Sequence, residues 1–289
     1  WYALSVDYEM SGKDLIDSVR LSSRITRSLG GRPPESLTYE FFLDENGEKI
    51  SKSRGNGLTM EEWLRYAPRD TLAYFMFGKP NTAKRLYFDV IPKTVDEYLS
   101  SLVRFSNEDD PARLQNAVWH VHRGAPPHES VPLSFNVLLN LANACNSEDK
   151  AVLWGFIGRY APEATPESSP ILDDLVGYAI RYYRDFVKPN KRYRAPDDRE
   201  TAALQALVAA LGSVPGDAGA ADIQNRIYEI GKQFEFEPLR DWFKALYEIL
   251  FGQEQGPRMG SFIALYGVAE TITLIERALA GEDLAAIPQ

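Results

Sequence analysis

The chain has very little sulphur: one cysteine and four methionines in 289 residues. A lone Cys145 excludes an internal disulfide and fits a reducing compartment, so a cytoplasmic setting is expected. It sits in the apolar segment 135–145, where a free thiol is ordinarily a packed side chain and not a nucleophile. Histidine is as scarce, with His120, His122 and His128 the whole supply. With a single cysteine beside them they make no zinc-binding set, and no metal site is expected. No apolar run approaches the ~20 residues of a membrane-spanning helix, and no signal peptide is recognisable. Basic charge is also short: 32 Lys and Arg against 41 Asp and Glu leave a formal net charge of −9. A general coat for nucleic acid is thereby excluded, and any such contact has to come from a local basic patch. The chain opens on Trp1-Tyr2-Ala3-Leu4-Ser5-Val6, without an initiator methionine, which reads as the interior of a domain with material upstream.

What is present is an ordinary globular composition, 44% hydrophobic and 25% charged, long enough for two or three modest domains. Residues 1–8 have the aromatic and aliphatic content of a strand. Ser11-Gly12-Lys13-Asp14 then reads as a helix start with Ser11 as the cap. Leu15, Val19, Ser22, Ile25 and Leu29 follow at helical spacing, and Gly30-Gly31 ends the helix. Residues 37–43 make a second strand. Asp44-Glu45-Asn46-Gly47 is a tight turn with Asn46-Gly47 able to take positive φ, so the chain returns as a hairpin. Strand, helix, strand and loop are the remains of an α/β domain.

From Thr59-Met60-Glu61-Glu62, a capping box, helices take over. Helical spacing recurs over 68–77, 95–105, 111–121, 135–145, 149–160, 171–187, 199–211, 221–234, 239–251 and 267–280, with Gly- and Pro-rich breaks between them. The stripe Leu239, Trp242, Phe243, Leu246, Leu250, Ile263, Tyr266 and Val268 is expected in the core. A boundary is expected within 124–132, giving an α/β region over 1–58, a helical domain over 59–128 and an all-α domain over 129–289.

The hairpin's second arm runs into Lys49-Ile50-Ser51-Lys52-Ser53. Lys49 and Lys52 can bind two oxygens of a polyphosphate, and Ser51 and Ser53 add neutral donors. Gly55 and Gly57 leave the loop free to close and reopen. When a carboxylate attacks the α-phosphate of ATP, charge builds on the departing pyrophosphate. Lysines that meet that charge late stabilise the transition state more than the ground state. The competing reading is a solvated basic hairpin exit. A chance K-x-S-K-S is expected on the order of once in a few hundred chains of this length, and the hairpin before it and capped helix after it lower that further.

A second cluster lies in the helical half. Arg181, Arg184, Lys188, Lys191, Arg192 and Arg194 are interleaved with Tyr182, Tyr183, Phe186 and Tyr193, against one acid, Asp185. Cations for phosphates and aromatic faces for unstacked bases are what single-stranded RNA loops require. The alternative is that the aromatics pack the helix and the charges are solvated. Arg258, in Gly256-Pro257-Arg258-Met259-Gly260 between two apolar helices, can reach a phosphate or a base edge, or pair with a neighbouring helix. Asp109-Asp110 and Asp173-Asp174 read as helix-start acids without an acid–base role.

The Lys49–Ser53 loop resembles the signature of class I aminoacyl-tRNA synthetases. The wider set, Tyr8-Glu9-Met10-Ser11-Gly12-Lys13-Asp14, Lys49–Asn56, the run from Pro92 to Tyr98 and Gly256-Pro257-Arg258-Met259-Gly260-Ser261-Phe262-Ile263, resembles the class I type of lysyl-tRNA synthetase over essentially the whole chain. The resemblance implies a Rossmann-like catalytic domain followed by a mainly α-helical stem-contact region and an anticodon-binding helix cage. It implies ATP and Mg²⁺ as cofactors, lysine and tRNA(Lys) as partners, and a monomer is the working expectation. Lys49, Ser51, Lys52 and Ser53 would carry the adenylation chemistry. Gly12, Lys13 and Asp14, at a helix start, suit contact with adenosine or the substrate carboxylate, the alternative being ordinary capping. Tyr39 would line the amino-acid pocket or else sit in a half-buried strand. The basic run and Arg258 would contact tRNA.

Two departures bear on this. No His-x-Gly-His type motif is present, so the loop marks half of an active site, and the chain alone is expected not to form an aminoacyl-adenylate. Leu15 stands where the resemblance leads one to expect histidine, and it supplies no polar contact. A glutamyl-type synthetase, or a non-catalytic tRNA-binding protein with a relic loop, is the alternative.

Overall fold

The computed structural model describes residues 1–51, 53–129, 131–215 and 218–285. The chain divides into two compact units, Trp1–His128 and Glu129–Gln289.

The first unit begins with a β-α-β element. Strand β1 (Tyr8–Gly12) pairs in parallel with β2 (Glu35–Tyr39), with Gly12 opposite Tyr39, and helix α1 (Ile16–Ser28) makes the crossover. The strand expected at 1–8 therefore lies further on. Residues 1–6 turn back instead, through bonds from the Ser5 and Val6 amides to the Tyr2 and Trp1 carbonyls, and the ladder starts only where β2 can meet it. Ser11 is not a helix cap: it is buried inside β1. The turn Lys13–Leu15 starts at Gly12 with no side-chain cap.

Helix α1 ends as expected at Gly30, whose φ is +84°. The Gly30 amide bonds to the Arg27 carbonyl and the Gly31 amide to the Thr26 carbonyl, each at 3.0 Å, the two-bond glycine stop that satisfies a helix's last carbonyls. Only Thr26 of this helix is buried, and Leu21, Ile25 and Leu29 stay more than half exposed.

The single strand expected at 37–43 is two. After Tyr39 the chain leaves β1, the Glu40 amide bonds to the Pro80 carbonyl, and β3 (Phe42–Leu43) pairs in parallel with β4 (Lys84–Arg85). Lys84 then donates to the carbonyls of Phe75, Met76 and Gly78 at the end of α3 (Arg69–Phe77), so a cation sits at the negative end of the helix dipole. The Thr59 capping box forms in full at the start of α2 (Met60–Tyr66): the Glu62 amide donates to Thr59 Oγ1 (3.2 Å) and the Thr59 amide to Glu62 Oε2 (2.8 Å). Trp63, fully buried, donates its indole N–H to Thr71 Oγ1.

Helix α4 runs from Val90 to Asn107, five residues earlier than the apolar spacing suggested, because Pro92 falls in the first turn where no amide donor is needed. The helix expected at 111–121 is broken into α5 (Asp110–Gln115) and α6 (Ala117–Val121). Asn116 makes the break: its Oδ1 accepts from the Val118 amide, and its Nδ2 donates to the Ser101 carbonyl and Glu108.

The second unit is all helix: α7 (Phe135–Cys145), α8 (Lys150–Tyr160), α9 (Pro170–Tyr182), α10 (Asp198–Gly212), α11 (Ala220–Gln233), α12 (Arg240–Leu250), α13 (Met259–Tyr266) and α14 (Val268–Leu279). The expected stripe is the core: Trp242, Leu246, Leu250 and Ile263 are buried, while Leu239, Phe243, Tyr266 and Val268 pack partly buried against them. Trp242 closes its one polar atom on the Ile227 carbonyl at 3.0 Å. The apolar segment expected to run to 187 leaves the α-helix at Tyr182 and continues as a wide π-type turn, Tyr183–Val187. Met259 and Gly260 belong to α13 and not to the preceding joint. A β-carbon at Gly260 would lie 2.2 Å from the Ala220 carbonyl oxygen, so α11 and α13 meet backbone to backbone there.

Among the described residues no helix is long and apolar enough to cross a membrane. Cys145 is half-buried and burial pushes its thiol up to about 12, which suits a packed side chain rather than a nucleophile.

Candidate active-site loop and RNA-facing segment

The hairpin that delivers the loop is shorter than its sequence suggested. Gly47 alone takes positive φ, +83°. The Gly47 amide bonds to the Asp44 carbonyl, the Asp44 amide to the Glu48 carbonyl and the Ile50 amide to the Phe42 carbonyl, with one antiparallel bridge between Leu43 and Lys49. Lys49 places its ammonium 3.5 Å from the centre of the Phe41 ring, a contact that holds a cation without neutralising it. Ser51 and Ser53 bring their hydroxyls to 3.4 Å of each other, and Arg54 pairs with Glu48 at 2.6 Å on the surface. Lys52 lies outside the described residues.

The loop's two ends are held together. Asp44 is buried, and its Oδ1 accepts from the amides of Asn46 (3.0 Å) and Glu48 (2.8 Å). Its Oδ2 accepts from Asn56 Nδ2 at 2.8 Å, and Asn56 Oδ1 accepts from the Ser51 amide at 3.1 Å. The Asn56 bond, then the Glu48 amide, hold the Asp44 carboxyl below the usual carboxylate range. A β-carbon at Gly57 would lie 2.5 Å from Ile50 Cγ2, so the loop's exit lies against its entry. Asp44 and Asn56 fall in the turn and the loop that the sequence marks out, but neither was given a site role there. The available signal was an Asp at the first position of a turn and an Asn just past the loop.

Gly12, Asp14 and Tyr39 come together at the carboxyl ends of β1 and β2. A β-carbon on Gly12 would lie 2.7 Å from Asp14 Oδ1 and 3.6 Å from the Tyr39 ring. Tyr39 is exposed, and Lys13 turns to Glu40 at 3.1 Å. The consecutive residues Glu40 and Phe41 thus hold Lys13 and Lys49 respectively. The carboxyl edge of parallel strands is where ligands of α/β sheets bind. Among the described residues no group of three or more His, Cys, Asp or Glu is placed to hold a metal ion. His120 and His122 are engaged elsewhere, with the Leu114 carbonyl and the Tyr98 hydroxyl, each at 2.8 Å.

In the second unit the basic run is not one solvated face. Arg194 makes a two-pronged pair with Glu200 (2.6 and 2.7 Å) and a third bond from Nε to Glu248 (2.6 Å). Lys191 turns inward, donating to the Asn143 carbonyl (2.7 Å), Asn146 Oδ1 and the Tyr193 hydroxyl (3.0 Å). Lys188 pairs with Glu148 and Arg184 with Asp185, and Arg181 lies over the Tyr178 ring. Tyr183 is buried, and its hydroxyl donates to Asn146. Arg192 remains exposed, bonded to the backbone carbonyls of Pro189 and Lys191. The Arg192 amide bonds to the Gly252 carbonyl at 2.8 Å, which lays this segment against the turn that leads to the exposed Arg258.

Burial pushes the Lys191 ammonium down to about 7. Its folded value then lies below the ~10.4 of an unfolded lysine, so the unfolded state holds more protons between the two and stability rises with pH in that window. Urea unfolding should show the second unit gaining stability from pH 7 to 9, and Lys191→Met should remove that gain. An unchanged slope in the variant would show that Lys191 does not contribute it.

Residues 1–125 match the family model described as tRNA synthetases class I (K). The chain is 53% identical over 285 residues to a lysine–tRNA ligase of Roseobacter denitrificans, covering 99% of this chain and 54% of that one. It is 52% identical over 281 residues to the lysine–tRNA ligase of Rickettsia bellii, covering 96% and 54%. Among solved structures, a glutamate tRNA ligase from Elizabethkingia meningosepticum aligns with 97% of this chain and 58% of its own at 15% identity, with a TM-score of 0.33, too low to decide anything about the fold. The chain belongs to the class I tRNA synthetases. Within that class it falls with the class I lysyl-tRNA synthetases, and it spans about half the length of the curated relatives it matches.

Proposed function

We propose that the whole protein activates lysine with ATP and transfers it to tRNA(Lys), and that this chain supplies the end of a Rossmann-like catalytic domain (residues 1–58), a stem-contact region (59–128) and an anticodon-binding helical domain (129–289). The observation that carries the reading is the Lys49–Ser53 loop seated on a clamped hairpin, in a chain with half its residues in common with lysine–tRNA ligases. In this reading Lys49 leaves the Phe41 ring, and with Lys52 it meets the charge that develops on pyrophosphate, while Ser51 and Ser53 donate to phosphate oxygens. Gly12, Lys13 and Asp14, with Tyr39 beside them, contact the nucleotide or amino acid at the carboxyl ends of β1 and β2. Mg²⁺ would come with the phosphates of ATP, the usual way this ion enters such sites.

On the RNA side, the exposed Arg192 and Arg258 are the residues best placed to contact tRNA. Arg181, Arg184 and Lys188 add charge around them. Lys191, Tyr193 and Arg194 hold the segment in place from within.

The test is amino-acid-dependent pyrophosphate exchange by the full-length protein. Lysine should support turnover and glutamate should not, and the product should be lysyl-tRNA(Lys). Exchange with glutamate alone would transfer the protein to the glutamyl type, and none with any amino acid would leave a tRNA-binding relic. The 289-residue chain by itself should be inactive, since it carries no His-x-Gly-His motif.

A further inference from the structure

The hydrogen bonds around Asp44 do more than shape a turn. An aspartate that opens a tight turn commonly accepts the amides two and four residues on, and the bonds from Asn46 and Glu48 are of that kind. The third bond is different. Asn56 is 12 residues from Asp44, on the far side of the Lys/Ser loop. It reaches back with Nδ2 to Asp44, and with Oδ1 it takes the amide of Ser51, where the loop begins. One side chain thus joins the turn, the loop's entry and the loop's exit. Gly57, packed on Ile50, completes the closure, and any side chain there would have to displace Ile50.

A loop of lysines and serines held only by its ends' covalent bonds would lose much conformational entropy on meeting the charge that builds on the departing pyrophosphate. Holding the ends in advance lowers that cost, and it fixes where the donors arrive. The exposed ties, Arg54 to Glu48 and Lys49 to Phe41, can exchange with a ligand, whereas Asp44 is sheltered from water.

We propose that Asp44 and Asn56 are positioning residues, which hold the two ends of the loop and so fix where its donors meet the phosphates. The inference rests on the reading of the loop as the ATP-handling element. Asn56→Ala and Asp44→Asn in the full-length protein should lower kcat for lysine-dependent pyrophosphate exchange about 10- to 100-fold, the usual cost of misplacing donors through lost outer contacts. KM for ATP should stay within about twofold.

A merely structural role would lower activity in proportion to folded protein, so two further readouts separate them. In the Lys52→Ala background, Asn56→Ala should cost less than about twofold more, because the donors it positions are already compromised. In the full-length protein, hydrogen exchange at the Ser51 amide should accelerate at least about tenfold in Asn56→Ala, without change in the α2 amides. Should Asp44→Asn fail to accumulate as folded protein, Asn56→Ala carries the test, since its side chain is only half-buried. Full activity of Asn56→Ala, or a full multiplicative loss on top of Lys52→Ala, would overturn the clamp. A Lys52→Ala protein with wild-type rates would instead overturn the reading of the loop itself.

Discussion

Lys52→Ala in the full-length protein is expected to cut kcat for lysine-dependent pyrophosphate exchange by about 10²- to 10³-fold, with ATP affinity little changed. The magnitude is that of one preorganised donor aimed at charge developing in a transition state. The split between kcat and affinity follows because the departing pyrophosphate gains charge only as the bond breaks, so a lysine that meets this charge acts on the transition state more than on bound ATP. Lys49→Ala should behave likewise and somewhat less severely, because its ammonium rests on the Phe41 ring and part of its binding energy is used in leaving that ring. Single-turnover kinetics at saturating ATP and lysine provide the measurement. A variant with raised KM and unaltered kcat would mean that the loop binds ATP without assisting the chemistry.

Arg194→Met is expected to destabilise the second unit by about 2–3 kcal/mol. Removing one member of a buried ion pair typically costs ~3–5 kcal/mol. The lower range applies because the arginine side chain is 39% exposed, although Glu200 and Glu248 are only 9% and 19% exposed, and water screens the pair from the open side. Glu200 has a second duty: it caps α10 by accepting from the Asp197 amide at 2.9 Å. Arg194 therefore ties residues 191–194 to the start of α10 and to α12 at once.

The pH dependence has a definite sign. The hydrogen bond from Arg194 is the first cause that lowers the folded-state pKa of Glu200 and of Glu248. A depressed carboxylate contributes stability above its unfolded value, ~4.3, and loses it as pH falls through the folded value. Wild-type stability should thus drop below about pH 4.5, and the Arg194→Met curve should be flatter there. Urea midpoints at pH 7 and pH 4 give both numbers. Equal midpoints at pH 7 would remove Arg194 from the account of stability. Arg192→Ala, by contrast, should leave stability nearly unchanged, and if Arg192 contacts a phosphate it should weaken tRNA binding with a smaller salt slope.

What could be read from the sequence was local. Thr59 and Glu62 are three residues apart, and their reciprocal caps formed as expected. Gly30 stopped α1 because positive φ is a property of one residue. Phe135–Cys145 matched residue for residue because helical spacing repeats within a turn. The Lys49–Ser53 loop was legible for the same reason, as a motif on a turn.

The larger misreadings were long-range. Residues 1–8 have strand composition, but a strand exists only where a partner lies alongside, and β2 pairs from Tyr8 onward. Residues 37–43 look continuous, yet their two halves pair with β1 and with β4. The basic run looked like a surface because the acids that neutralise Arg194 lie 6 and 54 positions away. The Asp44–Asn56 bond spans the very loop that drew attention, so neither residue signalled its role.

Gly260 carries a consequence for how this protein can vary over time. The Ala220 oxygen and the Gln224 amide stand within 2.8 Å of where any side chain would begin, and both belong to backbone that no substitution can trim. The Gly260 amide is also spoken for, by Gln224 Oε1 at 2.8 Å. Every single-codon change away from glycine meets the same obstruction, whatever residue it encodes. Drift at this point therefore has no stepwise route, and a lineage could leave glycine only by first moving α11 away from α13.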